Sequence, residues 1–197
     1  MMIVFTVIFG KVAKLPSDPG IPYPVLTFAA LLPWHLFANS LTQSSNSLVA
    51  SAGMISKIYF PRLIIPSSMV LTSVIDFLIS SVILIGLMMW YHVVPTLAVL
   101  WLPLFFFLAV FASFGISLWL SALNVEYRDV QHAVPFLVQF GYFISPVGYS
   151  SSVIPEQWRL IYSLNPMVGV IDGFRWALLG QKVPLYYPGL VLSSIIV

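Results

Sequence analysis

The chain has 197 residues, of which 60% are hydrophobic and only 7% are charged, against about 25% charged residues in an ordinary soluble domain. A soluble protein with so few charges would expose large apolar patches, so the composition excludes that class and indicates a membrane protein. The net charge of +2 excludes a basic nucleic-acid-binding surface, and the lack of cysteine excludes disulfides, thiolate metal sites and cysteine nucleophiles.

Both ends of the chain are apolar but shorter than a membrane span. Residues 1–10 (MMIVFTVIFG) lack the basic segment and cleavage site of a signal peptide, and they fall well short of the roughly 20 residues that a span needs. The carboxyl end is the apolar run GLVLSSIIV, within a last span that begins near Tyr187. We therefore expect one transmembrane domain over residues 1–197, with an incomplete first and last span.

Charge-free stretches predict four further spans. No charge occurs between Asp18 and Lys57, which leaves room for one span. Between Arg62 and Glu126 the only charged residue is Asp76. This second stretch is long enough for two spans, separated by the interfacial turn WYHVVP. Each span must be helical because an unpaired backbone amide in hydrocarbon costs several kcal/mol. We place the spans at about residues 23–47, 63–90, 96–123 and 133–149. The polar stretch NSLTQSSNS at the end of the first of these is predicted to face other helices.

The region after the fourth of these spans is different, because it mixes charges with two apolar pieces, WRLIYSL and MVGVIDGFRWALLG. Each piece is too short and too charged to cross a bilayer, so we predict two short helices that lie at, or dip into, one membrane face, separated by the Asn165-Pro166 turn. The predicted fold is all-α: a polytopic transmembrane helical bundle with about four complete spans, a partial first and last span, and two short re-entrant or interfacial helices.

Three segments together carry a family resemblance. They are LVASAGMISKIYFPRLIIP (48–66), ALNVEYRDV (122–130) and the pattern SP…IP…LNPM…G…R between residues 145 and 175. In this order they resemble the type-2 ABC transporter permeases that export polysaccharides, namely the O-antigen, capsule and teichoic-acid exporters. The resemblance covers essentially the whole chain. It implies a six-span permease, not an enzyme, that moves a polysaccharide or lipid-linked glycan across the cytoplasmic membrane of a bacterium.

The resemblance also implies partners. They are a second permease copy in a homodimer, cytoplasmic ABC ATPase subunits, and a polysaccharide or glycolipid substrate. The sequence contains no G-x-x-x-x-G-K-[ST] loop, so we expect ATP on the partner subunit and no cofactor on this chain. No metal site is expected, because His35, His92 and His132 each lack a second ligand at metal spacing. The alternative is a secondary transporter or channel without an ATPase, for which Asp76 is the single deep ionisable residue.

Two charged turns are candidate contacts with the ATPase. The resemblance implies a coupling helix in the first, whose candidate residues are Met54, Ser56, Lys57, Tyr59, Phe60 and Arg62. The alternative is an ordinary turn whose cations lie near anionic headgroups. The second turn offers a further cytoplasmic contact through Glu126, Arg128 and Asp129. Its alternative is a solvated loop whose charges pair locally.

Two further sets concern the transport path. Phe136, Phe140 and Phe143 recur at helical spacing, and they are a candidate channel lining on which sugar rings stack; the alternative is lipid contact, helix packing or an interfacial aromatic belt. The short helices are implied to form an outer gate, with the residues Trp158, Arg159, Asn165, Pro166 and Arg175. Asp76 is predicted to form a hydrogen bond between helices, because a carboxylate at the bilayer centre needs a partner or water.

Two arguments disagree on orientation. Five basic residues fall on one side, Lys11, Lys14, Arg159, Arg175 and Lys182, and three on the other, Lys57, Arg62 and Arg128. The positive-inside rule places the first group in the cytoplasm, whereas the resemblance places the second group there. We adopt the orientation of the resemblance, since charges beyond the two incomplete spans also set topology.

Overall fold

The computed structural model describes residues 22–57, 61–149, 154–180 and 188–191. Within these ranges the regular elements are helices, with residues 188–191 forming a short helical segment. We number the others α1 (Tyr23–Ala50), α2 (Ala52–Ile55), α3 (Ile64–Trp90), α4 (Leu102–Glu126), α5 (Val130–Ile144), α6 (Glu156–Tyr162) and α7 (Pro166–Leu179), and a 3-10 helix, Leu97–Trp101, precedes α4. The predicted partial first span and most of the predicted last span lie outside the described residues.

Three helices of the described part are long and apolar enough to cross a membrane. They are α1, α3 and the 3-10 helix continued by α4, with 28, 27 and 30 residues. At about 1.5 Å per residue, each is about 40 Å long or more, which exceeds the hydrocarbon thickness of roughly 30 Å. The first three of the four predicted complete spans are therefore confirmed, and each begins within one residue of the expected position.

Helix α1 lies at the centre of the bundle, in contact with α3, α4, α5 and α7. Of its most apolar stretch 78% is buried, against 22% for α3 and for α4. Its polar carboxyl-terminal part is also covered, with Ser40, Ser44, Ser45 and Ser47 all buried. The prediction that NSLTQSSNS faces other helices is thus confirmed for its serines, whereas Thr42, Gln43 and Asn46 of the same stretch are exposed.

Small side chains allow α4 to pack closely in the bundle. Ala109, Ser113, Ser117 and Ser121 recur at every fourth position, so they form one stripe along the helix, and all four are buried. Small residues let helix backbones approach each other in a membrane, where van der Waals contact rather than hydrophobic burial drives helix association. This stripe explains why α1 and α4 form one of the largest helix contacts of the described chain.

Helix α5 differs from the predicted fourth span. It begins three residues earlier than expected and ends at Ile144 rather than near Tyr149, so it has 15 residues and a length of about 22 Å. Ser145 is extended, with φ −80° and ψ 150°, which is the conformation that the ring of a following proline favours. The Ser145-Pro146 pair therefore ends the helix, and residues 145–149 form turns outside it.

The two predicted short helices are confirmed as α6 and α7, separated at Asn165-Pro166. Helix α7 lies inside the bundle against α1 and α4 rather than on a surface, and it buries all but two of its side chains. The small residues Gly169, Gly173 and Ala177 recur at every fourth position of α7 and are buried. This spacing matches the small-residue faces through which membrane helices pack closely.

We predict that Gly173→Ala destabilises the bundle by about 1–3 kcal/mol, the usual cost of overpacking a filled core. A β-carbon at Gly173 would overlap the ring of Phe105 on α4, so α7 would have to move outward. The measurement is the temperature at which detergent-solubilised protein aggregates. Gly115→Ala is the control, because no described atom lies within 4 Å of its added carbon; an equal effect of both substitutions would contradict this packing account.

The candidate residues lie at the two opposite ends of the bundle. At the α2 end, α1 and α4 finish while α3 and α5 begin, and the Ser44 Oγ donates a hydrogen bond to the Pro66 carbonyl at 3.2 Å. At the α7 end, the first turn of α1 meets the segment after α5, where the Tyr23 hydroxyl donates to the Gly148 carbonyl at 2.8 Å. The two charged turns therefore lie at one end, and the two short helices lie at the other.

Candidate functional site

The α2 turn joins α1 to α3, and its described residues, 51–57 and 61–63, are exposed or half-buried. Helix α2 buries none of its residues, and Met54 is 50% exposed. Ser56, Lys57 and Arg62 are also exposed, whereas the candidates Tyr59 and Phe60 lie outside the described residues. The turn therefore offers an apolar and a cationic surface. A coupling helix that contacts a partner and an ordinary turn near anionic headgroups would both need this exposure.

The second charged turn lies at the same end. Glu126 is the last residue of α4, and Arg128 and Asp129 lie in the turn before α5; all three are exposed. None of these three side chains forms a hydrogen bond or ion pair with any described residue. The local charge pairing of the alternative interpretation is thus not observed within the described ranges, and the three charges are available to a partner.

The predicted aromatic stripe lies on the outer face of α5. Phe136, Phe140 and Phe143 are 58–68% exposed, and the rings of Phe136 and Phe140 stack with centroids 6.4 Å apart. Because α5 packs on α1 through its opposite side, where Val134 is buried, the three rings lie on the side of α5 that faces away from α1. They face lipid, a partner chain or a transport path.

Arg175 of α7 is the centre of a buried polar network at the α7 end. Its side chain is 1% exposed, and its guanidinium donates to the carbonyls of Val147 at 2.9 Å, Tyr149 at 2.7 Å and Leu26 at 3.4 Å. Arginine suits this role because its five N–H donors have a fixed planar geometry. A single side chain therefore joins α7 to α1 and to the segment that follows α5.

Two tyrosines connect this network to α6. The hydroxyl oxygens of Tyr149 and Tyr162 are 2.9 Å apart, and the Tyr149 hydroxyl donates to the Ile144 carbonyl at 2.9 Å. Since Tyr149 has one hydroxyl hydrogen, Tyr162 is the donor between the two. Burial, the hydrogen bond with Tyr149 and the carboxylate of Asp172 all raise the pKa of Tyr162 far above its usual value. Tyr162 therefore keeps its hydroxyl hydrogen and remains the donor to Tyr149.

The remaining gate candidates divide into two groups. Asn165 caps α7, since its side chain accepts from the Met167 amide at 3.0 Å, and it also donates to the Ser145 hydroxyl at 3.0 Å, while Pro166 begins the helix. Trp158 is 60% exposed on α6. Asn165 and Pro166 thus fix the start of α7. On α6, Trp158 presents an apolar surface, and the half-buried Arg159 donates through Nε to the Ile154 carbonyl at 3.0 Å.

A groove of about 490 Å³ with a mainly apolar lining lies between α1 and α3. Asp76 is near the middle of α3, and its carboxylate forms no hydrogen bond or ion pair with a described residue, so the hydrogen bond between helices that we predicted is not found within the described ranges. A carboxylate at the helix centre costs roughly 2.5–3.5 kcal/mol in a bilayer, and we expect water or further protein in this groove rather than lipid. Its polar lining consists of His35, Asn39, Ser73, Asp76 and Ser80.

Uncharged polar residues of the site were missed by the prediction from sequence. Tyr149 and Tyr162 were not selected because aromatic residues near a membrane interface have an ordinary explanation in the aromatic belt. Asn124 lies inside the segment ALNVEYRDV, yet only the neighbouring charges were selected. It is completely buried. The sequence signal was an amide at the end of a long apolar stretch, because such a group needs partners when it is buried.

These features define the class of the protein: a polytopic helical membrane protein with charged turns at one end and a buried polar network at the other. The sequence model described as "ABC-2 type transporter" matches residues 1–179. The chain therefore belongs to the ABC-2 type transporter family, and it is a membrane transporter component.

Relatives with assigned names agree with this family. An O-antigen export system permease protein RfbA of Klebsiella pneumoniae is 30% identical over 201 residues, covering 98% of this chain and 78% of the relative. A protein of the same name from Myxococcus xanthus is 28% identical, covering 98% of this chain and 74% of the relative. A polysialic acid transport protein KpsM of Escherichia coli is 26% identical, covering 90% and 69%.

Proposed function

We propose that this chain is the membrane permease of an ATP-driven exporter that moves a polysaccharide or lipid-linked glycan across the cytoplasmic membrane of a bacterium. The observation that carries the proposal is the family match over residues 1–179. The names of the relatives, an O-antigen export permease and a polysialic acid transport protein, supply the substrate class. Because the sequence has no phosphate-binding loop, a separate ATPase subunit hydrolyses the ATP.

In this proposal the α2 end faces the cytoplasm and contacts the ATPase. The α2 turn docks through Met54, Lys57 and Arg62, which are exposed, and the unpaired charges of the second turn form a further contact. Burial of Arg175 supports this orientation. The positive-inside rule counts basic residues in loops, whereas the Arg175 guanidinium lies in the protein core, bound to three carbonyls. Arg175 is therefore removed from the group of basic residues that argued for the opposite orientation.

The transport path lies between two permease copies in this proposal. The exposed aromatic face of α5 supports it, because the three rings are 58–68% exposed on a helix in which Val134 is the single buried residue described. Aromatic rings are the usual apolar surface of ligand sites. At the other end, α6 and α7 close the outer mouth, and the Arg175 network fixes them to α1 and α5.

The test is co-expression of this chain, carrying an affinity tag, with an ABC ATPase subunit from the same exporter. We expect the ATPase to co-purify with the permease and ATP to drive export of the polymer from reconstituted vesicles. An unrelated ABC permease is the control for specific binding. The proposal fails if no ATPase binds, or if the polymer moves without ATP and follows an ion gradient, as in the secondary-transporter alternative.

We predict that alanine at Phe136, Phe140 and Phe143 together lowers export about tenfold or more, since each aromatic contact contributes about 0.5–1.5 kcal/mol. The amount of folded permease should not change, because the three rings are exposed. The measurement is polymer export per permease molecule. Alanine at Phe107 and Phe111, two exposed rings on α4, is the matched control; misfolding of the α5 variant would show instead that the rings pack.

A further inference from the structure

Asn124 joins three helices at the α2 end. Its side chain is completely buried. The Nδ2 amide donates to the Ser45 carbonyl of α1 at 2.9 Å, and Oδ1 accepts from the Gln131 backbone amide at 3.0 Å. Asn124 itself lies on α4, and the residue it contacts on α1 is 79 positions away in the chain. Both halves of one amide group are therefore used between helices.

The bond to Gln131 supplies a cap that α5 otherwise lacks. The first backbone amides of a helix have no partner within the helix, and a side chain at the N-cap position usually accepts from one of them. Asp129 occupies that position in α5, but its side chain makes no capping bond. Asn124 takes over this function from a different helix, so the start of α5 is held by α4 and, through the same amide, by α1.

The bond to Ser45 reaches the helix that leads into the α2 turn. Ser45 lies five residues before the end of α1. Its neighbour Ser44 donates to the Pro66 carbonyl in the first turn of α3. Both ends of the α2 turn are therefore fixed at one turn of α1, and Asn124 connects that turn of α1 to the start of α5.

We propose that Asn124 is a positioning residue that transmits movement of the α2 turn to α5, and thereby couples ATP hydrolysis to export. The inference rests on the proposed function and names a transmission step within it. An ATPase that moves the α2 turn shifts the end of α1. The buried amide then carries that shift to the first turn of α5, the helix with the exposed aromatic face.

The test compares two Asn124 variants with a matched control in the permease–ATPase complex in lipid nanodiscs and vesicles. Asn124→Ala removes both bonds, whereas Asn124→Asp keeps an acceptor for Gln131 and loses the donor to Ser45. Ser121→Ala is the control, because Ser121 lies one turn earlier on α4, is buried, and bonds only to Leu118 of its own helix among the described residues. If Asn124→Ala does not fold, Asn124→Asp decides.

The expected result is a separation of ATP hydrolysis from export. Both Asn124 variants should still bind the ATPase and hydrolyse ATP, while the polymer exported per ATP falls about tenfold, within the roughly 5- to 150-fold range of coupling between sites. Ser121→Ala should keep the wild-type ratio. A residue with only a structural role would lower ATPase binding, hydrolysis and export together.

Spin labels locate the break in transmission. The chain has no cysteine, so Gly53→Cys reports on α2 and Leu137→Cys reports on α5, each at an exposed position. With Asn124 present, ATP should change both spectra; in the two variants only the Gly53→Cys spectrum should change. An ATP-dependent Leu137→Cys change and an unaltered export ratio in both variants would overturn the inference. Failure of the wild-type chain to bind an ATPase would instead overturn the proposed function.

Discussion

Arg175→Met is expected to abolish export and to lower the amount of folded permease. Methionine fills a similar volume but donates no hydrogen bond, so the carbonyls of Leu26, Val147 and Tyr149 lose their common donor. A buried polar group left without a partner costs about 1–3 kcal/mol, and several such groups amount to a large part of the stability of a small domain. Helix α7 would then keep its side-chain packing against α1 but lose its hydrogen bonds to Leu26 and to the segment after α5.

The measurement is the polymer export of Arg175→Met in cells, together with the fraction of the variant that elutes as a single species in detergent. Arg175→Lys should recover only part of the function, because one ammonium group cannot reach carbonyls that a planar guanidinium spans. Ser121→Ala is the control, since Ser121 is buried on α4 and bonds only to Leu118 of its own helix among the described residues. Wild-type export by Arg175→Met would show that the network does not hold the short helices.

Reversal of both charges in the α2 turn, Lys57→Glu with Arg62→Glu, is expected to weaken ATPase binding by about a hundredfold or more, since like charges placed opposite each other cost several kcal/mol. The permease itself should fold normally, because both side chains are exposed. The measurement is ATPase co-purification and the ratio of export to ATP hydrolysis.

Arg128→Glu is the matched control for this charge reversal. It changes an exposed cation at the same end of the bundle but in the other turn. A smaller effect of Arg128→Glu would assign the principal contact to the α2 turn. Unchanged binding and coupling in the double reversal would favour the alternative in which the cations of the α2 turn contact only anionic headgroups.

The spans were predictable because charge is scarce in this chain. A stretch such as residues 63–90 contains one charged residue, Asp76, and lipid admits few other structures than a helix for such a stretch. The end of α5 was less predictable, although the Ser145-Pro146 pair carried the signal. The apolar run continues past it through Val147, so hydrophobicity alone extended the helix to Tyr149.

The exposed candidate residues could be predicted from the sequence, whereas the hydrogen-bond partners in the buried network could not. Lys57 and Arg128 are charged residues between spans, and a charge between spans must reach water. The acceptors of Arg175 are backbone carbonyls, which every residue carries, so no sequence pattern distinguishes Val147 or Leu26. Which carbonyls meet the guanidinium depends on how α7 enters the bundle, and that path is set by small residues such as Gly173 packing against α4.

The account depends on the α2 end facing the cytoplasm. Ser56→Cys and Trp158→Cys place single thiols at exposed positions on opposite ends of a chain without cysteine. In intact spheroplasts, a membrane-impermeant maleimide should label Trp158→Cys and leave Ser56→Cys unmodified until the membrane is opened. Labelling of Ser56→Cys from outside, with Trp158→Cys protected, would contradict the account, because the α2 turn would then lie on the side of the membrane away from ATP.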